Sequence, residues 1–300
     1  MAPPAVSEFA VLEATLEARR LEVEAALRRL HVPGRAPGVT AAIEESLFAP
    51  AKRLRPILAL LVADVLRSPP EALLPAACAV EMVHTASLIL DDLPCMDDAR
   101  TRRGRPTCHT AHGEATAILA AFALMNRAFE LLAEGWEGAP DAEARDGIAA
   151  ELARAIGLDG MIAGQASDLA TTGRAMDFAT LEFIHSRKTG ALFTACASLG
   201  AAGARARPGE QAAVVAYAKN LGLAFQIVDD LIDATGGAGE AGKDVGKDAK
   251  KATFVSFSGV AGARDLAREL IEASHEALAG FGPRAQPLRD LARYVVTRRR

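Results

Sequence analysis

Residues 81–98 read EMVHTASLILDDLPCMDD, an apolar helical stretch that runs directly into four aspartates. Pro94 interrupts the helix after Asp91 and Asp92, so Asp97 must fold back from a loop to reach them. Carboxylates that cluster beside buried apolar surface repel one another and are costly unless cations hold them. The stretch therefore predicts the end of a buried helix that carries a cation site.

A second acidic segment, LGLAFQIVDDLID at 221–233, repeats this arrangement. Asp229 and Asp233 are four residues apart and therefore share one face of a helix. Hard oxygen ligands in this number suit Mg²⁺, which retains water molecules and binds substrate phosphates. A single acidic pair more commonly marks a surface helix end. Two such clusters, each behind an apolar helix, favour a divalent metal site.

The rest of the chain has the same helical character. Of its 300 residues, 65 are alanine, the best helix former, and only 14 are aromatic. Apolar positions recur at helical spacing over roughly 8–30, 56–67, 71–91, 113–134, 143–170, 178–202, 209–234, 260–280 and 284–297. The links are mostly short, and none is long or polar enough to mark a domain boundary. The sequence predicts an all-α fold in which eight or nine helices form a single large bundle.

Charge and cysteine content exclude several classes of protein. The net charge is −4 with no basic half, so a nucleic-acid partner is not expected. Four cysteines without a CxxC pair indicate neither a disulfide framework nor a zinc ribbon, which fits a cytoplasmic setting. The acidic N-terminus lacks the apolar region of a signal peptide. The most apolar run, which begins at Ile57, is too short to span a bilayer, so no transmembrane segment is expected.

The few lysines are concentrated near the acidic clusters. Seven of the 34 basic residues are lysine, and six of those seven fall in short basic segments, at Lys52, Lys188, Lys243, Lys247, Lys250 and Lys251. A compact ammonium charge suits phosphate oxygens. Each basic segment taken alone is equally consistent with a solvated turn, but together they suggest a ligand that carries phosphate.

These motifs carry a family resemblance. Residues 81–107 resemble the first aspartate-rich motif of short-chain trans-isoprenyl diphosphate synthases, with the four-residue spacer of the bacterial type, and FQIVDDLID at 225–233 resembles the second. The segments KRLRP at 52–56, GQASDL at 164–169 and HSRKTGALF at 185–193 are similar to other landmarks of that family, in the same order. The resemblance covers roughly residues 40 to 300, and the bacterial geranylgeranyl and farnesyl diphosphate synthases are the most similar members.

The resemblance implies a fold and a reaction. The expected fold is one domain over residues 1–300, a bundle of about ten helices around a central apolar cavity, usually assembled as a homodimer. Mg²⁺ would assist ionisation of an allylic diphosphate, and the double bond of isopentenyl diphosphate would attack the resulting cation. Three Mg²⁺ ions per site would be bound by Asp91, Asp92, Asp97, Asp229, Asp230 and Asp233.

The resemblance also implies roles for other residues. Arg102, Lys188 and Lys243 would grip the allylic diphosphate, and Lys52, Arg55, His84 and Arg103 would hold isopentenyl diphosphate. Lys188, Thr189 and Gln226 would stabilise the cation, Gln165 and Asp168 would line the same cavity, and Lys251 keeps the lysine of the last motif. Pro50 and Ala51 replace the glycine pair usual before Lys52, so this loop is stiffer than in the family. The basic tail Arg298–Arg300 is either a cover for the site or a solvated end.

The expected product length depends on the residues beneath the first aspartates. Ala86 lies five residues before Asp91, a rise of about 7.5 Å along a helix, where farnesyl-producing relatives typically carry an aromatic residue. With Ser87 also small, the cavity floor is expected to be open, which predicts a C20 product and a shorter one when Ala86 is replaced by Tyr or Phe. The alternatives are a farnesyl synthase that stops at C15, a terpene cyclase, a non-catalytic subunit of a heteromeric synthase and a simple Ca²⁺- or Mg²⁺-binding protein.

Overall fold

The part of the chain that the structure describes is mainly helical. The computed structural model describes residues 8–235 and 252–298. Within them lie thirteen α-helices: α1 Ala10–Leu30, α2 Pro37–Leu47, α3 Leu54–Val65, α4 Leu74–Asp91, α5 Cys108–His112, α6 Glu114–Glu134, α7 Ala142–Ile156, α8 Met161–Thr171, α9 Phe178–Lys188, α10 Gly190–Gly203, α11 Pro208–Thr235, α12 Phe254–Ala277 and α13 Gln286–Thr297. Short 3₁₀ helices at Pro70–Leu73 and Ala279–Ala285 complete the helical part. The prediction of an all-α fold is confirmed.

Two of the predicted helices are each divided in two. The stretch 143–170 breaks at 157–160, where Gly157 leaves the helical region and Gly160 lies so close to the Ala155 carbonyl that a Cβ would sit 2.2 Å from its oxygen. The stretch 178–202 changes direction at Thr189, between α9 and α10. The prediction of one helix in each place was wrong because the apolar periodicity continues across both breaks. Helices α2 and α5 were not predicted.

Small residues allow the central helices to approach closely. Helix α10 packs against α3, α4, α7, α9 and α11 and is buried along most of its length. A Cβ on Gly200 would lie 2.7 Å from Val62 Cγ1 and 2.9 Å from the Ala59 carbonyl oxygen, so no side chain fits between α10 and α3 there. The high alanine content therefore reflects close helix packing around a narrow core.

A short β-hairpin follows the first acidic cluster. Strands β1 Thr101–Arg102 and β2 Arg105–Pro106 pair antiparallel, with Thr101 opposite Pro106 and Arg102 opposite Arg105. The two turn residues, Arg103 and Gly104, both have positive φ, as the tight turns favoured between twisted strands require. The hairpin fixes the positions of two arginines next to the aspartates.

Among the described residues, two helical stretches are long and apolar enough to cross a membrane, judged by length and composition alone. They are Pro70–Asp91, two-thirds buried inside the protein, and Glu114–Glu134, with 39% buried. Core helices of folded bundles meet the same criterion. The expectation that the chain has no transmembrane segment therefore stays a prediction.

Candidate active site

A cavity of about 660 Å³ opens between α4, α6, α8, α9, α10 and α11. Part of its lining is polar and includes aspartates from both acidic clusters. Another part is apolar and includes Leu90, Ala121, Met125, Ile156 and Met161. The cavity therefore combines carboxylates with hydrocarbon-like surface, which suits a molecule with an anionic or metal-bound head and an apolar tail.

The first acidic cluster folds back on itself as the sequence predicts. Helix α4 ends at Asp91, and the backbone N–H of Asp97 donates to the Asp91 carbonyl oxygen at 2.9 Å. The N–H of Asp98 donates to the Leu93 carbonyl oxygen at 3.0 Å and closes the same loop. Asp91 and Asp97 both line the cavity. The interruption at Pro94 thus brings Asp91, at the end of a helix, and Asp97, in the following loop, to the same wall of the cavity.

The second cluster lines the cavity from α11. Asp229, Asp230 and Asp233 all face it. Asp230 is the most buried of the three, and its carboxylate accepts from the backbone N–H of Phe254 at 2.9 Å and from Gln226 Nε2 at 3.1 Å. The first of these bonds ties the start of α12 to α11. Five of the six predicted metal-binding aspartates therefore lie around one cavity.

The sixth, Asp92, is placed differently. Its buried carboxylate accepts hydrogen bonds from Arg102 Nη2 at 2.7 Å and Nε at 2.8 Å. It lines a smaller adjacent cavity of about 350 Å³ rather than the large one. Such a two-pronged pair orients the guanidinium rigidly. In this structure Asp92 positions Arg102, which lines both cavities.

Burial makes the aspartates of both walls costly to ionise. The pKa of Asp91 is raised to about 6. Desolvation is the largest cause, the charges of Asp97 and Asp92 also raise it, and those of Lys188 and Arg102 lower it. Desolvation also raises the pKa of Asp230 to about 6 against the hydrogen bonds from Phe254 and Gln226. Buried carboxylates that lie close together repel one another, and a bound cation relieves this repulsion.

The donor set fits Mg²⁺ in one particular way. Among the described residues, no three Asp, Glu, His or Cys side chains lie close enough together to hold one ion between them. The carboxylates instead stand on two walls of the cavity. Mg²⁺ commonly takes only one or two protein carboxylates and completes its shell with water and substrate phosphate. The site therefore fits ions shared between the protein and a ligand rather than a closed protein cage.

Polar side chains from α8, α9 and α11 line the cavity beside the aspartates. Lys188 Nζ donates to Asp168 Oδ2 at 2.8 Å, which joins α9 to α8. Thr189 Oγ1 donates to Gln226 Oε1 at 3.1 Å. Gln165 Nε2 lies 3.5 Å from the sulfur of Met96, while its buried Oε1 has no hydrogen-bond partner among the described residues. All of these predicted residues line the same cavity.

The predicted second diphosphate site is divided between neighbouring cavities. Arg55 Nη1 donates to His84 Nε2 at 3.1 Å, and both residues line the large cavity. Burial and then the charge of Arg55 lower the pKa of His84 well below 6.5, which keeps the imidazole neutral and able to accept this bond. Arg103 lines the smaller cavity, and Lys52 lines a third one of about 330 Å³. The structure thus brings Arg55 and His84 together and places Arg103 and Lys52 in the lining of two other cavities.

The residues proposed to set product length differ in their placement. Ser87 lines the cavity, as does Leu90 one residue before the aspartates. Ala86 is fully buried and is not among the lining residues. An aromatic residue at position 86 would therefore act on the cavity by displacing its neighbours. The expectation that the floor lies at Ala86 stays a prediction, and Ser87 is the more direct position.

The sequence did not identify an ion pair that involves Asp229 of the cavity wall. Arg298 Nη2 donates to Asp229 Oδ1 at 2.6 Å and to the Phe225 carbonyl oxygen at 3.0 Å. Its guanidinium lies 3.8 Å from the centre of the Phe225 ring. The other tail residues, Arg299 and Arg300, lie outside the described residues, as do the predicted phosphate ligands Lys243 and Lys251 and the neighbouring Lys247 and Lys250.

Comparisons with known proteins agree with this geometry. The family model described as polyprenyl synthetase matches residues 37–277. A dimethylallyltranstransferase from Fischerella ambigua is 42% identical over 94% of this chain and 82% of its own length. A geranylgeranyl diphosphate synthase from Cyanophora paradoxa is 39% identical over 98% of this chain and 99% of its own. The crystal structure of an FPP/GFPP synthase from Zymomonas mobilis superposes with a TM-score of 0.85 at 37% identity, covering 95% of this chain and 98% of that one.

Proposed function

Since the chain belongs to the polyprenyl synthetase family and is a trans-prenyltransferase, we propose that its cavity condenses isopentenyl diphosphate with an allylic diphosphate and stops at the C20 product, geranylgeranyl diphosphate. The observation that carries this proposal is the pair of carboxylate walls, Asp91 and Asp97 on one side and Asp229, Asp230 and Asp233 on the other, above one apolar cavity. The head of an allylic diphosphate would lie between the walls, and its hydrocarbon chain would extend towards Met125 and Ile156.

We propose that these carboxylates hold Mg²⁺ against the allylic diphosphate, with three ions expected. Bound Mg²⁺ supplies positive charge that stabilises the leaving diphosphate. Lys188 and Arg102 add fixed positive charge at the same end of the cavity, and Asp168 and Asp92 hold them in place. Preorganised charge of this kind stabilises a leaving group without reorganisation during the reaction.

A polar pair in the cavity lining suits the cation that ionisation produces. Thr189 Oγ1 donates a hydrogen bond to Gln226 Oε1, so the lone pairs of the threonine oxygen remain available to a cation. We propose that these oxygen dipoles, with the backbone near Lys188, stabilise the allylic cation. Apolar walls at Leu192 and Met161 exclude the water that would otherwise quench it. The released diphosphate is the proposed acceptor of the proton lost after attack.

The basic residues around the start of α3 suit the second substrate. We propose that Arg55, His84, Arg103 and Lys52 hold the diphosphate of isopentenyl diphosphate. Arg55 is anchored by His84 on one side and by the ring of Phe193, 5.0 Å from its guanidinium carbon, on the other. Its Nε is buried without a hydrogen-bond partner among the described residues, which leaves one donor available for an anion.

The C20 product is proposed because the side chains at the cavity end of α4 are small or aliphatic, with Ser87 and Leu90 facing inwards. The alternative is a farnesyl diphosphate synthase that stops at C15. The names of the relatives include both geranylgeranyl and FPP/GFPP synthases, so product length has to be measured on this chain.

We also propose that the chain is a homodimer. Large apolar side chains are exposed on α6, on α8 and in the turn that precedes α8: Leu119 by 56%, Phe122 by 68%, Leu158 by 83% and Ile162 by 48%. Phe122 and Ile162 also line the cavity. Exposed apolar side chains that form a patch commonly mark a protein interface. One domain over residues 1–300 and a cytoplasmic location remain part of the same proposal.

Incubation with labelled isopentenyl diphosphate and each allylic primer, with and without Mg²⁺, tests this function. We expect incorporation only with Mg²⁺ and a C20 alcohol after dephosphorylation and chromatography. A C15 end product would refute the chain length alone. Incorporation that appears only after a second, different subunit is added would favour the non-catalytic subunit. Absence of any incorporation would refute the proposed reaction.

A further inference from the structure

We infer that Arg53 and Glu81 form a buried ion pair that positions the isopentenyl diphosphate site from the wall of the smaller cavity, which both residues line together with His84 and Arg103. Arg53 Nη1 donates to Glu81 Oε1 at 2.6 Å. Both side chains are almost completely buried, with 2% and 4% of their surface exposed. This inference rests on the proposed function, since it concerns the second of the two substrates.

Stability alone does not account for this pair. Moving two charges out of water costs several kcal/mol per ion, roughly as much as their attraction returns, and well-packed apolar side chains commonly serve stability equally well. The orientation of the neighbouring residues explains a pair that is buried to this extent. The neighbours of Arg53 in the chain are Lys52 and Leu54, and Arg55 follows one residue later, so the pair lies within the segment that carries two of the proposed diphosphate ligands.

Arg53 holds the whole loop that leads into α3. Besides Glu81, its guanidinium donates through Nη2 to the carbonyl oxygens of Leu47 at 2.6 Å and Ala49 at 3.1 Å. One side chain therefore joins the end of α2, the following loop and the middle of α4. Lysine could not replace it, because a single ammonium group does not present the planar fork that reaches these acceptors at once.

The backbone at Arg53 needs this restraint. Its φ is +52° and its ψ is +32°, a left-handed conformation that is strained for a residue other than glycine. The three preceding residues are Pro50, Ala51 and Lys52, so no glycine is available to relieve the turn. The buried side chain compensates for this strain and fixes the direction in which α3 begins.

The consequence for the site follows from the spacing on α4. Glu81 and His84 are three residues apart and share a helix face, while Arg53 and Arg55 stand at the start of α3. Two links thus join α3 to α4, Arg53–Glu81 beside the smaller cavity and Arg55–His84 at the large one. Loss of the Arg53–Glu81 link would let the segment 50–55 shift relative to α4, while the allylic site, which α4, α8, α9 and α11 form, keeps its own contacts.

The test compares the Arg53→Met/Glu81→Leu double variant with a matched control. The double substitution replaces both charges with apolar side chains of similar size, which commonly preserves folding. The control, Arg19→Met/Asp64→Leu, removes the 2.9 Å pair that joins α1 to the other end of α3. For each protein, KM and kcat are measured separately for the two substrates, and binding of isopentenyl diphosphate alone is measured by calorimetry.

We expect the KM and the calorimetric Kd for isopentenyl diphosphate to rise about ten- to hundredfold in the double variant, the range caused by a misplacement on the order of 1 Å. The KM for the allylic diphosphate should stay within about twofold, and the control should resemble the wild type. Arg53→Lys should be intermediate, since it keeps the charge but not the fork. Glu81→Gln keeps the shape of the side chain and decides the same question if the double variant does not fold.

A folded double variant, or a folded Glu81→Gln protein, with wild-type affinity for isopentenyl diphosphate would overturn the inference. An equal rise in both KM values would overturn it as well, because the pair would then support the whole fold rather than one site. Failure of the wild type to incorporate isopentenyl units is a different result, since it refutes the proposed function itself.

Discussion

Gly164 on α8 lies against the backbone of Lys188 at the end of α9. A Cβ at position 164 would sit 2.2 Å from the Lys188 nitrogen and 2.8 Å from its Cα. Carbon atoms in contact rest at about 3.5–4.0 Å, so Gly164→Ala has to separate the two helices by about 1 Å. The atoms in conflict belong to backbone, which cannot turn aside as a flexible side chain would.

This separation would act directly on the proposed allylic diphosphate site. Lys188 Nζ is held by Asp168 of α8, one turn after Gly164, so both ends of this ion pair lie on the helices that move. We predict that Gly164→Ala lowers kcat/KM for the allylic diphosphate by about a hundredfold, as a misplacement of 1 Å commonly does. Overpacking should also reduce the free energy of unfolding by about 1–3 kcal/mol.

Gly147→Ala on α7 is the matched control. Nothing lies within 4 Å of the Cβ that it would add, so alanine should raise helix stability by about 1 kcal/mol or less and leave the kinetics unchanged. Steady-state kinetics with each substrate in turn and thermal unfolding of both variants provide the measurements. A Gly164→Ala protein with wild-type kcat/KM would refute the argument that this close approach sets the position of Lys188.

Three further predictions concern the cavity. Ser87→Phe should shorten the longest product by at least one isoprene unit, because the side chain at position 87 lines the cavity. Chromatography of the products of Ser87→Phe and of Ala86→Phe, at the fully buried neighbouring position, shows which of the two positions forms the cavity floor. Asp229→Asn should lower kcat at least about a hundredfold, as loss of one preorganised charge contact commonly does. The control is Asp265→Asn at an exposed position, whose kcat should stay near that of the wild type. Chelation of Mg²⁺ by EDTA should abolish turnover of both variants. Arg298→Ala should increase the rise in Tm that Mg²⁺ with diphosphate provides, because the Arg298 guanidinium occupies Asp229 Oδ1. The same rise in Tm in the variant and the wild type would show that Arg298 does not compete with Mg²⁺ for Asp229.

Much of the site was predictable because it depends on local features of the chain. Pro94 ends α4, and the loop that follows returns the Asp97 N–H to the Asp91 carbonyl oxygen. The four-residue spacing places Asp229 and Asp233 on one helix face, and both line the cavity. In each case a short-range rule, the missing proline N–H or the 3.6-residue helical period, determines which side chains share a wall.

Other features could not be read from spacing. The pairing of Asp92 with Arg102 depends on a hairpin that returns the chain ten residues later. Helix periodicity also continued through Gly157 and Thr189, where the structure breaks the predicted helices, since an apolar stripe does not reveal a change of direction. The fully buried position of Ala86 depends on how α4 rotates against its neighbours, which the residues of α4 alone do not specify.

The sequence by itself determined the helical class, the two aspartate motifs and the kind of ligand they attract, because these depend on composition and on contacts a few residues apart. Only the tertiary structure decided which charges meet. Arg55 with His84, Arg53 with Glu81 and Arg298 with Asp229 join residues 28 to 69 positions apart. Each pair forms where close packing of whole helices leaves two polar groups within reach of one another, and that is a property of the assembled core rather than of any segment.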